Sequence, residues 1–456
     1  MIKNLKLIRH HGQLKELGSQ LKYNILQELI NAPATCQQLA TKFDQSKQKV
    51  HYNLSQMIAK ELIEIVDNEN GSCREVFYRA TAKRFLLDMA VGMEENKQIL
   101  NNQGIIGHIL EEEHQISLAR IAARLLEQSF KLHKGERLLI VCGKFNFPLV
   151  EKMLLEAGKR GIDTSLIYQD LDQIKAKYEE YSLAAFQADY EEFNRQLKQA
   201  NVYLNLNGES RMVKLTDPDK IVIRNRMLEK GKRIIQEHRI RIAMMPGLVQ
   251  TTLSDQSINS EIQFWNALDI DYPALCRSTV QACKRFEQSK QMVLGAGDNK
   301  LQFEADRIIA ECGSFGSSTY QSPVINLPGG EVLFIPKTRS MNGVIAGDRA
   351  IACGEEVINP RLEIKNNEIV SFSAESGQRS LAKAISLGGV DGRKVALICL
   401  GTNTNLCGKD INYALKHKSN GVLTVFWGDN RSVGGDVCGT EEWFVQIEQP
   451  NLSYHK

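Results

Sequence analysis

Residues 135–168 read GERLLIVCGKFNFPLVEKMLLEAGKRGIDTSLIY, and their pattern decides the fold of the larger part of the chain. LLIV is a short apolar run. PLVEKMLLEAGKR then repeats its apolar residues at helical spacing behind Pro148, and TSLIY returns to strand-forming residues. A strand, a helix over 148–160 and a second strand form a βαβ unit, in which the two strands run parallel. NVYLNLNG (201–208) and IRIAMMPG (240–247) add strands to the same lobe. After the first strand stands CGKFNF rather than the GxGxxG of a dinucleotide site. The absence of GxxxxGK[ST], HExxH and GxSxG segments removes the commonest nucleotide, zinc-protease and serine-hydrolase chemistries.

A chain of 456 residues, 43% hydrophobic and 24% charged, has room for about two or three domains. No apolar run reaches bilayer length, and MIKNLKLIRHHGQLKELG lacks a signal peptide's apolar core, so a cytoplasmic location without a membrane partner is expected. The ten cysteines include no CxxC; Cys276 and Cys283 are the closest pair, at a spacing that suits neither zinc nor redox motifs, which implies reduced thiols. The net charge of +3 is unevenly spread: residues 1–84 hold thirteen Lys or Arg against eight Asp or Glu, and the remainder is near neutral.

The basic segment has a pattern to match. LKYNILQELINAPA (21–34) spaces Leu21, Ile25, Leu29 and Ile30 as a helix that Pro33 stops. TCQQLATKF opens on Thr35 as a cap and buries Leu39 and Phe43. In SKQKVHYNLSQMIAKELIEIV, Ser46 caps a helix with Val50, Leu54 and Ile58 inward, leaving Ser46, Lys47, Gln48, Lys49, His51 and Tyr52 outside. LIEIVDNENGSCREVFYRAT then reads as a hairpin turning at Asn70-Gly71 and carrying Arg74 and Arg79. Over residues 15–84 this order resembles the winged helix-turn-helix of ArsR-type repressors. The resemblance implies double-stranded DNA as partner, with the exposed helix face reading base edges and Lys49, Arg74 and Arg79 meeting phosphates. A protein-interaction module is the other role open to such a fold. Cys36 and Cys73 stand alone, so metal sensing in this segment is not expected.

Residues 85–130 read as a helical connector suited to pairing two subunits, in FLLDMAVGMEENKQIL and ISLARIAARLLEQSF. Further along, INLPGGEVLFIP (325–336) delivers Glu331 from a Pro-Gly-Gly turn into a β-branched run. On its own, Glu331 is either a metal ligand or the solvated start of a strand.

From about residue 115 onward, FKLHKGERLLIVC, INLPGGEVLFIP, ICLGTNTN and GVLTVFWGDNRSVGG resemble, in order, segments of the thermophilic metallo-aminopeptidases of the aminopeptidase T kind. The resemblance implies a dimer with a two-metal centre of two Glu, two His, an Asp and a Tyr, in which the metals polarise a peptide carbonyl and activate water. Carried over, the pattern places its first glutamate on Glu331, its second on Leu397, its histidine before Gly-Asp-Asn on Thr424 and its tyrosine on Val433. Its last two ligands fall on Glu442 and Phe444. Beyond the Glu331 turn the only histidines are His417 and His455. Glu331, Asp429, Asp436, Glu442 and His417 could form an oxygen-rich replacement site, but no cofactor is expected apart from a divalent metal at Glu331.

The expected architecture is multidomain α/β: a winged helix-turn-helix over 1–84, a connector over 85–130, an α/β lobe over 131–275 and an aminopeptidase-like α+β lobe over 276–456. The lost ligands point away from catalysis. Glu331, Asn342, Asp348, Thr402, Asn403, Thr424, Asp429 and Glu442 could instead hold a small peptide or amino-acid-like effector in the vacated cleft. The expected function is a homodimeric DNA-binding transcriptional regulator. The alternative is a metal-dependent aminopeptidase or other hydrolase with altered ligands and an accessory N-terminal module.

Overall fold

The computed structural model describes residues 3–8, 13, 16–66, 76–87, 115–206, 213–245, 255–289, 291–295, 297–317, 323–406 and 413–455. Contacts divide the chain into two compact units, residues 1–104 with 250–258, and residues 105–249 with 259–456.

In the smaller unit, the helix Gln20–Asn31 stops two residues before Pro33, with Ala32 extended as a residue preceding proline must be. Thr35 caps the helix Cys36–Lys42 with a full capping box: its hydroxyl accepts the Gln38 N–H at 3.2 Å, and the Gln38 side chain accepts the Thr35 N–H at 2.7 Å. Ser46 caps the helix Lys47–Ala59 by accepting from the Lys49 N–H. Ile25, Leu29, Leu39, Val50, Leu54 and Met57 pack together against Tyr78 and Ala80. An antiparallel sheet runs in the order Ala34–Thr35, Phe77–Ala80, Ile63–Val66. The Asn70-Gly71 turn and Arg74 lie outside the described residues.

One expectation fails here. Phe85, Leu86 and Leu87 do not begin a connecting helix; Ala82–Leu87 is a strand paired in parallel with Lys3–Ile8. Local helical spacing is a weak preference, and pairing with a distant strand overrides it. Residues 88–114 lie outside the described residues.

Among the described residues, the larger unit holds three sheets. The first is fully parallel, ordered Val324–Asn326, Arg241–Met244, Val202–Leu206, Arg137–Cys142, Asp163–Tyr168. It contains the expected βαβ unit, whose helix Phe147–Arg160 ends on Gly161 in the left-handed conformation that glycine adopts without strain. The outer strand Val324–Asn326 was not expected. The segment 116–130 is the helix Leu118–Arg124 followed by a π-helical turn Leu125–Ser129. Ile121, Leu125, Leu126 and Phe130 are buried in this lobe's core. That apolar face is therefore used within the chain and is not free to pair subunits.

The other two sheets are antiparallel. One has seven strands in the order Ala305–Glu311, Glu331–Pro336, Leu397–Gly401, Leu423–Asp429, Cys438–Ile447, Arg349–Ala352, Glu355–Ile358. The six-stranded sheet comprises Glu368–Ser373, Arg361–Lys365, Asn342–Ala346, Leu301–Phe303, Gln291–Leu294 and Leu452–His455. A second core fills the space between these sheets and the helices Tyr272–Glu287 and Gln378–Leu387, with Phe334 and the stacked Trp427 and Trp443 at its centre. Alternation along each strand sends the opposite side chains of the seven-stranded sheet to its other face. That face carries Glu331.

Candidate functional site

The Pro-Gly-Gly turn is built for close packing. A Cβ on Gly329 would lie 2.3 Å from the Cys312 carbonyl oxygen, and Gly330 takes φ +109°. The turn interlocks with Gly-Thr-Asn at 401–403. The Thr402 N–H donates to the Gly330 carbonyl at 2.9 Å, and the Asn403 side-chain amide donates to the carbonyls of Gly329 and Ala267. A Cβ on Gly401 would meet the Ser419 carbonyl oxygen at 2.1 Å, so only glycine lets the 417–419 turn cross the strand here. The Asn403 N–H holds that turn through the Lys418 carbonyl at 2.9 Å.

These contacts bring five side chains together. Register sets Glu331 opposite both Glu311 and Gly401. Lys418 Nζ lies 2.7 Å from Glu331 Oε1, with both residues buried. The Cys399 thiol donates to Glu331 Oε2 at 2.9 Å, and His417 Nε2 lies 3.8 Å from that same oxygen. Glu311 Oε1 accepts from the Gly313 N–H at 3.0 Å, while its Oε2 has no hydrogen-bond partner among the described residues.

The charges follow from burial and neighbours. Burial pushes the Glu331 carboxyl up, but the Lys418 and His417 charges and the hydrogen bonds from Cys399 and Lys418 outweigh it and hold it down at about 2. Burial lifts Glu311 to about 7, with Lys418 opposing the shift and Glu331 adding to it. Burial pulls Lys418 down, yet the two carboxylates overcompensate and keep its ammonium charged. Burial and Glu331 push the Cys399 thiol well up, so it remains a protonated donor. The result is an internal ion pair flanked by the raised Glu311 carboxyl.

Glu331 is thus not a solvated turn residue. Nor do the residues around it fit a divalent ion. A metal at Glu331 would share a low-dielectric site with the Lys418 ammonium, and like charges a few ångströms apart repel strongly there. Among the described residues, no group of three or more His, Cys, Asp or Glu is placed to hold a metal ion.

The positions carried over from the aminopeptidase pattern divide. Thr424 pairs with Cys399 across adjacent strands, buried with its hydroxyl unpartnered among the described residues. Leu397 lies four residues from Gly401, about 13 Å along the strand. It joins Val433 and Phe426 in an apolar cluster with Leu333 and Ile335, and Phe444 packs on Phe426 at 5.5 Å. Glu442 is exposed on the same strand as Phe444.

The remaining expected effector residues do not converge on Glu331. Thr402 shares its hydroxyl with Thr279 at 2.7 Å, and Asn403 is saturated by backbone groups. Asp429 bridges Arg431. Asp348 accepts from the Glu448 N–H at 2.7 Å, and Asn342 accepts from the Asn366 N–H at 3.0 Å in the other antiparallel sheet. Lys418, Cys399 and Glu311 were not singled out from sequence. Lysine in KHKS reads as a surface residue, and only the acidic end of the apolar run RIIAE hinted at a buried carboxyl.

In the smaller unit, Ser46, Lys47, Gln48, Lys49, His51 and Tyr52 are all exposed, on or capping a helix that contains no acidic residue. Arg79 is paired with Glu64 in the neighbouring strand.

Residues 300–390 match the family model described as thermophilic metalloprotease (M29). Among solved structures, wild-type AmpT from Thermus thermophilus is similar with a TM-score of 0.53 at 14% identity, covering 74% of this chain and 94% of that one. A 2,5-dihydroxypyridine dioxygenase from Pseudomonas putida KT2440 gives a TM-score of 0.50 at 11% identity, over 74% and 93% of the two chains. No curated protein sequence matches. At these identities the structural likeness concerns the fold alone: the chain carries an aminopeptidase-like α/β fold, with a metalloprotease-like segment at residues 300–390.

Proposed function

We propose that the chain is a DNA-binding transcriptional regulator whose aminopeptidase-like part has exchanged metal chemistry for effector sensing and dimerisation. The observation that carries this reading is the buried Lys418–Glu331 pair at 2.7 Å. An internal ammonium stands where a metal-dependent peptidase needs a free carboxylate ligand. The N-terminal unit supports the DNA half of the proposal: its helices and small antiparallel sheet follow one another in the order expected of a winged helix-turn-helix, and the exposed face of the Ser46-capped helix carries Lys47, Lys49 and His51.

An effector amine cannot anchor on Glu331, because Lys418 already holds that place. A small peptide or amino-acid-like effector would instead set its apolar part on Phe444, Phe426 and Val433 and its amine on exposed Glu442. Such a ligand switches DNA binding only if it favours one of two states, by about 1–3 kcal/mol, or roughly 5–150-fold in affinity. Titrating amino acids and dipeptides against the protein bound to its own promoter region tests this. Salt-sensitive binding shifted by one of these ligands supports the proposal, and no salt-sensitive affinity for that DNA overturns it.

A second reading is a metal-dependent aminopeptidase whose N-terminal module only recruits it. The family-model match and the AmpT-like fold favour this reading, and they do not bear on DNA binding. Turnover of aminoacyl amides with Mn²⁺, Co²⁺ or Zn²⁺, lost in Glu331→Ala, would establish it.

A further inference from the structure

A cavity of about 550 Å³ opens beside the end of the strand Glu331–Pro336, about 17 Å along that strand from Glu331. Two asparagines fix the loops that wall it. Asn367, in the turn between the strands Arg361–Lys365 and Glu368–Ser373, donates to the Lys337 carbonyl at 3.0 Å and accepts the Met341 N–H at 2.8 Å. Asn430 donates to the Ala396 carbonyl at 2.6 Å and accepts the Val437 N–H at 2.9 Å. Charges of both signs line this frame. Strand pairing sets Lys365 opposite Glu368, and a backbone bridge sets Glu368 opposite Lys394, so cation, anion and cation follow one another across neighbouring segments. Lys394 is already engaged, with Asp391 at 2.8 Å. That hydrogen bond raises Lys394 despite burial, and the charges of Asp391, Glu368 and Asp436 add to the shift. Arg339, Lys365, Glu368 and Asp436 are exposed and line the cavity, and none of the four has a hydrogen-bond or salt-bridge partner among the described residues. Arg339 stands there at φ +61°, a left-handed conformation uncommon for a residue with a side chain. Val370, Val395 and Val437 supply an aliphatic wall.

We propose that this cavity binds a free aliphatic amino acid as its zwitterion, with Arg339 and Lys365 taking the carboxylate, Glu368 and Asp436 the ammonium, and Val370 and Val437 the side chain. Unpaired charges of both signs around one cavity select such a ligand. A metal ion would meet the three cations, and inorganic phosphate the two carboxylates, so each would face charge of its own sign. Residues opposite each other on paired strands stand about 5 Å apart, which lets Lys365 and Glu368 take the two ends of one α-amino acid. Arg339 adds the planar fork that grips a carboxylate through two parallel hydrogen bonds. The site is separate from the one at Phe444 and Glu442, and it does not rest on the DNA-binding reading.

Titration calorimetry of the full-length protein without DNA, using valine and leucine as ligands, tests this. At least one of them should bind saturably, and its amide and its N-acetyl derivative, each lacking one charge, should bind about tenfold more weakly. Arg339→Gln and Glu368→Gln should each weaken the amino acid to a similar degree with the melting temperature unchanged. No saturable binding of either amino acid up to about 10 mM overturns the proposal, and so does an N-acetyl derivative that binds equally well. Binding lost in Glu442→Gln but kept in Arg339→Gln would place the ligand on the seven-stranded sheet and overturns it too. The comparison of ligands on the wild-type chain stands even if a variant fails to fold. Because no DNA is present, a failure here leaves the DNA-binding reading standing, and a failure of that reading leaves this site standing.

Discussion

Lys418 and Glu331 form an ion pair inside the larger unit, with Nζ 2.7 Å from Oε1 and a thiol, Cys399, closing the other carboxylate oxygen. A buried pair of this kind adds little net stability compared with apolar residues of similar size, but each member depends on the other. Lys418→Met should therefore destabilise the chain by about 3–5 kcal/mol, because it strands a buried carboxylate. Glu331→Gln combined with Lys418→Met should recover most of that loss. Urea denaturation of the wild type, both single variants and the double variant measures the coupling, and additive losses would contradict it.

The flanking carboxyls make opposite pH contributions. Glu331 is held at about 2, below the unfolded value, so the stability it contributes is present above about pH 4.3 and lost as pH falls toward 2. Glu311 is raised to about 7, so its contribution is present below about pH 4.3 and lost as pH rises through 7. Glu311→Gln should flatten the decline of melting temperature between about pH 4.3 and 7, and an unchanged profile would contradict the assignment.

Gly-Thr-Asn at 401–403 serves the architecture of the site. Asn403→Ala removes donors to the Gly329 and Ala267 carbonyls and the acceptor of the Asn405 N–H, all buried or partly so. Leaving such groups unpaired should cost about 2–4 kcal/mol in urea denaturation. A loss below about 0.5 kcal/mol would remove this motif from the account.

On the N-terminal unit, the exposed Lys47 and Lys49 should each neutralise one phosphate. The double change Lys47→Ala, Lys49→Ala should weaken DNA binding and reduce the slope of log affinity against log salt by about 2. Ser46→Ala should mainly cost about 1 kcal/mol of stability, since that side chain caps the helix. An unchanged salt slope in the double variant would move the DNA contact elsewhere.

Elements with local signals were legible in the sequence. Thr35 and Ser46 cap the helices they were expected to cap, and the βαβ unit over 137–168 stands as its periodicity implied. Strands that depend on distant partners were not legible: Ala82–Leu87 needs Lys3–Ile8, and Val324–Asn326 needs Arg241–Met244. The site shows the same division. Pro-Gly-Gly-Glu and Gly-Thr-Asn marked its location because tight turns need particular residues. Lys418 and Cys399 could not be seen, since only the crossing of the 417–419 turn over Gly401 carries that lysine into the interior.

We propose that the Lys418 ammonium has taken the place of metal chemistry at Glu331. The most direct test is elemental analysis of the full-length protein, purified after exposure to Mn²⁺, Co²⁺ and Zn²⁺, coupled to an aminoacyl-amide assay. Substoichiometric metal, no turnover and a melting temperature unmoved by chelator are the expected result. One or two ions per chain, with turnover abolished by Glu331→Ala, would contradict it.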